Sequence, residues 1–324
     1  MKKRNYSIDI LKFACAVLVV FLHTDFKYHE VILPLTRCAV PCFLMISGFL
    51  LYSDGEGIGQ ERLKRNIRHI LHITLWATLL FAIVKEGMVM LHGKLFIPSV
   101  RQWISFIVLN DNPFGYHLWY LGAYIYVLVV MLFIDKHSLW KPMFCVTPFL
   151  LIGDLVFGKY SLLLLNHEFP YVYVRNFLFV GIPYFALGCI IKKHMALLAR
   201  VSCHVYSGGV ILFSMTSIIE KTVLLNLDKS PAREHYLSTT FLAICLFMAI
   251  AQYKRPKPNL LSRIGEHDSL YIYIFHPLFL LVLPSIIKRV PNVFGNVYSL
   301  TAPLLVLLLT IALIISLRKF KLIK

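Results

Sequence analysis

The chain has 324 residues, of which 58% are hydrophobic and only 15% are charged, and its formal net charge is +17. Soluble domains carry about 45–50% apolar and about 25% charged residues, so this composition excludes an ordinary soluble protein. At about 20 residues per bilayer crossing, the chain has room for about ten transmembrane helices. We therefore predict an all-α polytopic membrane protein.

The positive charge is spread over short clusters between apolar segments. A nucleic-acid-binding protein needs a contiguous basic surface, so we expect no nucleic-acid partner. Basic clusters between spans instead mark cytoplasmic loops, which contact anionic lipid headgroups or an anionic ligand from the cytosol. The seven cysteines lie in or beside apolar segments and form no CxxC pair, so we interpret them as small buried residues.

Ten apolar segments follow one another along the chain. They cover residues 8–25, 36–53, 69–90, 117–134, 142–158, 176–191, 201–220, 236–252, 268–287 and 298–317. If the N-terminus is inside, the cytoplasmic loops contain more basic residues than the loops on the opposite side, beginning with Lys2, Lys3 and Arg4. We therefore predict cytoplasmic termini and a single transmembrane domain over residues 1–324, without a soluble appendage.

Three ionisable residues interrupt the first apolar segment: Asp9, Lys12 and His23. Lys12 and His23 are eleven positions apart, so they share one helix face at a spacing of about 16 Å, and Asp9 can pair with Lys12. Such residues usually face a protein interior or an aqueous cavity. The alternative is that Asp9 and Lys12 reach the interface and that His23 caps the helix near the outer headgroups.

A basic cluster follows the second segment, in the sequence QERLKRNIRHILH. A helix there would place Arg62, Arg65 and Arg68 on one side. Stacked guanidinium groups suit phosphate binding, because each planar fork donates two parallel hydrogen bonds. Positive-inside topology with binding of lipid phosphate explains the same cluster, and the sequence leaves both interpretations open.

Weaker polar features occur in the later segments. Ser47 and Gly48 suggest a helix-packing notch, and Trp119 and Tyr120 suggest an interfacial aromatic belt. Pro277 has no amide hydrogen and leaves one backbone carbonyl of its helix without a partner. The side chain of the preceding residue, His276, can donate a hydrogen bond to that carbonyl.

Metal-binding motifs are also missing from the sequence. His69 and His72 lack the spacing of a zinc motif, and we expect no metal cofactor.

Six segments in order resemble blocks of the acyltransferase family 3 membrane proteins, covering residues 6–280. SIDILKFACAVLVVFLH resembles the family's opening block, in which a basic residue is followed by ten residues and then a His. Lys12 and His23 occupy these two positions, although many members have Arg at the first. AVPCFLMISGFLL is similar to the family's Pro-aromatic-Ser-Gly-Phe signature. RNIR, from Arg65 to Arg68, is similar to the family's Arg-x-x-Arg element. The remaining three are HLWYLGAYIYVLVV, RNFLFVGIPYFALG and SLYIYIFHPLFL.

The resemblance implies a bacterial inner-membrane O-acyltransferase. Its donor would be cytosolic acyl-coenzyme A, with acetyl-coenzyme A expected, and its acceptor a hydroxyl of an extracytoplasmic glycan such as a polysaccharide. The family's essential His corresponds to His23, and its arginine element to Arg65 and Arg68. Without a fused hydrolase-like or racemase domain, the protein would complete the transfer alone or pass the acyl group to a partner.

Roles for the remaining residues follow as hypotheses. His23 acts either as general base or through an acyl-His intermediate, and Lys12, Arg65 and Arg68 bind the donor phosphates. Substrate-binding residues are predicted to be Ser47, Trp119, Tyr120 and His276.

Two other functions compete with this interpretation. A transporter or flippase for a lipid-linked glycan or small solute fits the intramembrane charges equally well, and a non-catalytic membrane adapter is the third alternative. The oligomeric state stays open, with a homo-oligomer among the alternatives.

Overall fold

The structure of the protein, a computed structural model, describes residues 5–53, 57–229, 231, 235–253, 255–287 and 292–323. The predicted basic cluster of Lys2, Lys3 and Arg4 lies outside these residues. Within them the secondary structure is helical, apart from one isolated bridge between Ser53 and Gly57. The prediction of an all-α fold is confirmed.

Fifteen α-helices are assigned within the described residues. They are α1 Tyr6–His23, α2 His29–Thr36, α3 Ala39–Leu51, α4 Gln60–Met90, α5 Val100–Leu109, α6 Trp119–Lys136, α7 Trp140–Asp154, α8 Ser161–Leu164, α9 Ile182–Lys193, α10 Met195–Leu198, α11 Cys203–Asn226, α12 Leu237–Gln252, α13 Leu260–His267, α14 Ser269–Ile287 and α15 Asn292–Lys319. Two single π-helical turns, Leu155–Lys159 and Phe177–Gly181, flank the segment around α8.

Eight helices in the described part of the chain are long and apolar enough to cross a membrane. They match eight of the ten predicted segments, and the second crossing combines α2 with α3. The other two predicted segments are also helical but shorter, with 12 residues in α9 and 16 in α12. The protein therefore has the predicted membrane character, while the number of crossings and the side of the termini stay predictions.

Two compact units are defined by the contacts among helices. The first contains the described residues of Met1–Phe43, Ala199–Leu224 and His235–Lys324, and the second those of Leu44–Leu198 and Leu225–Glu234. The prediction of a single domain is not tested by this division.

In the first unit, α1 packs directly on the backbone of α13. A Cβ atom built on Gly265 would lie 1.7 Å from the carbonyl oxygen of Asp9 and 3.0 Å from the amide nitrogen of Phe13, so only glycine fits there. The start of α1 is fixed as well, because the side chain of Asn5 accepts from the amide of Ser7 and donates to the carbonyl of Ala251 at 2.9 Å. These contacts set the position of the helix that carries Asp9, Lys12 and His23.

In the second unit, α3 and α9 meet through two glycines. A Cβ on Gly48 would lie 2.0 Å from the carbonyl oxygen of Phe185, and a Cβ on Gly188 would lie 2.0 Å from that of Met45. The absence of side chains at both positions lets the backbones approach, as small residues do in membrane helix pairs. The predicted packing notch at Gly48 is therefore observed, and α9 supplies its partner surface.

The turn before α4 is built around Asp135 of α6. Its carboxylate accepts from the amide of Ile58 at 2.8 Å and from the side chain of Gln60 at 3.2 Å. Gly57 and Gly59 have φ values of 89° and 88°, a backbone region that glycine adopts without strain. The GIGQ sequence thus forms the entry to α4.

Candidate active site

His23 is the last residue of α1, and its imidazole is partly buried. It lies against the imidazole of His276 of α14, with ring centroids 5.5 Å apart and ring planes inclined by 20°. The structure therefore brings together two of the predicted site residues that are separated by more than 250 positions in the sequence.

The ring of His276 is held inside α14. The side chain is fully buried, and its Nδ1 lies 3.0 Å from the carbonyl oxygen of Ile272. Because a carbonyl oxygen only accepts, Nδ1 carries the hydrogen in this contact. The next residue, Pro277, has no amide hydrogen to donate to the carbonyl of Tyr273, so this turn of the helix lacks one of its regular bonds.

The chain that follows His23 is fixed by short-range contacts. The hydroxyl of Thr24 donates to the carbonyl of Val20 at 2.7 Å, and Nδ1 of His29 donates to the carbonyl of Thr24 at 2.9 Å. The amide of Lys27 donates to the carbonyl of Ser299 of α15 at 2.7 Å. His23 thus sits at a helix end whose exit is bonded to neighbouring segments of the same unit.

Lys12 and Asp9 form the ion pair that their spacing predicts. Nζ of Lys12 lies 2.9 Å from Oδ1 of Asp9, and the two side chains are 22% and 4% exposed. A nearly buried carboxylate needs such a partner, because an isolated charge is costly away from water. Lys12 therefore stabilises Asp9, and its side chain is partly exposed on the face of α1 that carries His23.

Arg65 and Arg68 lie in the second unit, on the second and third turns of α4. Both side chains are exposed, and their spacing of three residues places them on one side of the helix. Arg62 of the same cluster is bonded within the protein instead. Its guanidinium donates to the carbonyls of Leu50 and Leu51 at 2.9 and 2.8 Å. Arg62 thus caps the end of α3, and the exposed pair is Arg65 with Arg68.

The predicted substrate-binding residues of the second unit lie at its interior. Trp119 and Tyr120 are only 7% and 8% exposed, so they are not the lipid-facing aromatic belt that the sequence suggested. Tyr120 stacks on Tyr124 with centroids 6.1 Å apart, and the hydroxyl of Tyr124 bonds to the side chain of Ser47. Ser47, Tyr120 and Tyr124 therefore belong to one interior polar cluster.

Arg175 is a buried charged residue beside Trp119 that sequence analysis missed. Its side chain is 9% exposed, and its guanidinium carbon lies 5.2 Å from the ring centroid of Trp119 and 4.2 Å from that of Tyr171. An arginine between two aromatic rings gains cation–π stabilisation that offsets part of the cost of burial. The only signal in the sequence was the polar pair Arg175 and Asn176 inside an otherwise apolar block.

The arrangement defines the class of protein as a polytopic α-helical membrane protein with ionisable and aromatic side chains in its interior. The sequence matches the acyltransferase domain of the acyltransferase 3 family over residues 5–318. The chain belongs to this family.

Two curated relatives are similar to most of the chain. A protein named amino-acid racemase from Enterococcus faecalis is 24% identical over 315 residues, covering 90% of this chain and 43% of the relative. Serine/alanine racemase from Enterococcus gallinarum is 23% identical over 331 residues, covering 96% of this chain and 45% of the relative. The chain thus spans less than half the length of these relatives. No solved structure matches it significantly.

Proposed function

We propose that the protein is an inner-membrane O-acyltransferase, in which His23 activates a hydroxyl of an extracytoplasmic glycan toward an acyl-coenzyme A donor. The observation that carries this proposal is the partly buried imidazole of His23, held against His276 at the end of a membrane helix. An imidazole suits proton transfer near neutral pH, and a site within a membrane limits competing water.

The proposed reaction needs one base. His23 takes the proton of the acceptor hydroxyl while its oxygen attacks the thioester carbonyl, and the carbon–sulfur bond then breaks. Coenzyme A leaves as the thiolate and takes up the proton. Direct attack by His23 on the thioester, giving an acyl-His intermediate, is the alternative route to the same products.

Donor binding is assigned to basic residues. Coenzyme A is polyanionic, and the exposed pair of Arg65 and Arg68 offers two guanidinium forks for phosphate oxygens. Lys12 is the third basic residue that the sequence analysis predicts for the donor, and its side chain is 22% exposed. This assignment places the basic end of α4 and both termini in the cytoplasm, as the distribution of basic residues in the sequence indicates.

The test of this function is the release of coenzyme A from acetyl-coenzyme A by the full-length protein in liposomes. We expect release to require an added acceptor fraction of cell-envelope glycans and an acetyl ester to appear on the glycan. Thiol release and ester formation are measured in parallel. Absence of donor binding and of turnover with every glycan fraction would overturn the proposal.

The double replacement Arg65→Gln and Arg68→Gln is expected to raise KM for acetyl-coenzyme A about tenfold or more with little change in kcat. The reason is that the two arginines bind the donor phosphates, at a distance from the thioester. The control is Lys64→Gln, which removes a charge from the same helix turn, where Lys64 pairs with Glu61 at 2.9 Å. Equal KM values for the double variant and the control would contradict the assignment.

Transport of a small solute is the second candidate function. The observation in its favour is that the two relatives are named for racemisation of amino acids. A small amino acid is therefore the solute that we propose for this alternative. The intramembrane ion pair of Asp9 and Lys12, of which only Asp9 is buried, carries both charges that recognition of a zwitterion needs. Uptake of labelled serine or alanine by liposomes, without consumption of acetyl-coenzyme A, would favour this function.

A further inference from the structure

The segment between α4 and α6, in the second unit, contains an amphipathic helix whose apolar side is exposed. This helix, α5, begins with a capping box between Ser99 and Gln102 and ends at Asn110, whose φ is 64°. Its apolar stripe consists of five side chains at helical spacing that are 42–76% exposed: Val100, Trp103, Ile104, Ile107 and Val108. In a soluble protein such a stripe faces the core. The stripe of α5 therefore needs a partner outside this chain.

The turn that follows α5 lies beside the middle of α4. The side-chain amide of Asn112 donates to the hydroxyl of Thr78 at 2.9 Å. Thr78 is near the centre of residues 69–84, the part of α4 without Asp, Glu, Lys or Arg. Charged residues are costly in a hydrocarbon core, so we expect this uncharged part of α4 to be the one that crosses it. The contact with Thr78 then puts the turn after α5 at the depth of the membrane.

α6 gives the same depth independently. A Cβ atom built on Gly122 would lie 3.4 Å from the Cβ of Asn110, and the hydroxyl of Tyr126 donates to the carbonyl of Ile107. The candidate membrane-spanning segment that contains α6 begins at Tyr116. Gly122 and Tyr126 are therefore about 9 and 15 Å inside it at the helical rise per residue. The last turn of α5 thus lies alongside a membrane-spanning helix and not beyond its end.

The turn after α5 also has the internal hydrogen bonds that this depth requires. Irregular backbone within a membrane must be bonded by the protein, because no water is present to bond it. Asn110 and Asn112 are buried there. The side-chain oxygen of Asn112 accepts from the amide of Phe114 at 3.0 Å, and the carbonyl of Pro113 accepts from Nζ of Lys85 at 2.7 Å. These bonds join the turn to α4.

We propose that α5 and the turn after it form a re-entrant hairpin whose apolar stripe contacts lipid acyl chains, in the leaflet opposite Arg65 and Arg68. With ten residues, α5 is about 15 Å long, which is too short to cross a core of about 30 Å. The neighbouring α4 has an exposed apolar side of the same kind, on which Leu75, Leu79 and Ile83 are 59–63% exposed. The inference depends on membrane insertion and not on acyl transfer.

The natural tryptophans test the partner of the stripe. Trp103 belongs to the stripe, and Trp76 lies on the exposed side of α4. In liposomes, Trp76→Phe retains Trp103, Trp103→Phe retains Trp76, and the double variant gives the background of Trp119 and Trp140. Lipids brominated in their acyl chains quench tryptophan emission on contact, whereas iodide quenches it from water. We expect the brominated lipids to reduce the emission of Trp103 as they reduce that of Trp76.

An emission of Trp103 that brominated lipids leave unchanged, while that of Trp76 falls, would overturn the proposal. Iodide then identifies the surroundings of the stripe. Quenching by iodide would place the stripe in water, and quenching by neither reagent would mean that protein covers it, such as a second copy of this chain.

The depth of the hairpin is tested with two cysteine variants. Ile107→Cys places a thiol on the stripe, and Lys94→Cys places one at an exposed position between α4 and α5. A charged, membrane-impermeant maleimide reacts with the thiolate, which does not form in hydrocarbon. Peptide mass spectrometry separates these sites from the seven natural cysteines.

In liposomes we expect the Lys94→Cys variant to be labelled and the Ile107→Cys variant to stay unlabelled, although detergent denaturation exposes both. Equal labelling of the two variants in liposomes would place Ile107 outside the hydrocarbon and overturn the re-entrant hairpin. Neither measurement requires turnover, so a protein without acyltransferase activity leaves both tests intact.

Discussion

Replacement of His23 by Gln is expected to lower kcat for acyl transfer by a factor of about 10²–10⁴, the usual contribution of a general base. Glutamine retains hydrogen-bonding groups at similar reach but cannot take a proton near neutral pH. Binding of acetyl-coenzyme A should be retained, because the proposed donor contacts are made by Arg65, Arg68 and Lys12. The measurement is the initial rate of glycan acetylation, together with the Kd of the donor by equilibrium binding.

The matched control for this variant is His204→Gln, which replaces an exposed imidazole on α11 of the same unit. It should have the kcat of the wild type. A His23→Gln variant with wild-type kcat would exclude both the general-base mechanism and the acyl-His mechanism, because each requires the imidazole. A variant that has lost donor binding would instead assign His23 to the donor site.

The replacement Gly265→Ala is expected to lower the free energy of unfolding by more than about 3 kcal/mol. The added methyl group would lie 1.7 Å from the carbonyl oxygen of Asp9, where backbone and not a flexible side chain blocks it. The clash is relieved only if α13 moves away from α1. This movement takes place beside the ion pair of Asp9 and Lys12. Thermal unfolding in detergent and the folded fraction after gel filtration measure the effect.

Gly208→Ala provides the comparison for Gly265→Ala. Gly208 lies within α11, and a Cβ there has no neighbour within 4 Å. Its replacement should be neutral or stabilising by about 0.5–1 kcal/mol, because alanine favours the helix more than glycine does. Similar midpoints for the two variants would show that α1 and α13 tolerate separation, and would remove the packing argument for a fixed α1.

The first helix was predictable from sequence in most respects. The length of its apolar segment predicts a membrane-spanning helix. The spacing of three residues predicts the ion pair of Asp9 and Lys12, which the structure contains. The family resemblance covers residues 6–280, and the family match extends this to residues 5–318. These features depend on local periodicity or on short motifs, both of which a single sequence displays.

Contacts between distant segments were not predictable in the same way. No spacing relates His23 to His276, since their stacking depends on which helices become neighbours. Trp119 and Tyr120 at the start of an apolar segment look like interfacial residues, and their burial becomes visible only when the other helices are in place. The predicted segment 69–90 is shorter than α4, which begins at Gln60, because hydropathy falls at charged residues although Gln, Glu, Arg and Lys are good helix formers.

The true start of α4 at Gln60 has a consequence for the lipid environment. A helix of 31 residues is about 46 Å long, whereas the hydrocarbon core of a bilayer is about 30 Å thick. α4 is therefore longer than the hydrocarbon core, and we expect the turns that carry Arg65 and Arg68, at its charged end, to reach the layer of lipid phosphates. Under the proposed donor assignment, a phosphate-bearing ligand of these arginines would compete there with lipid headgroups, and we expect its apparent KM to rise with the content of anionic lipid.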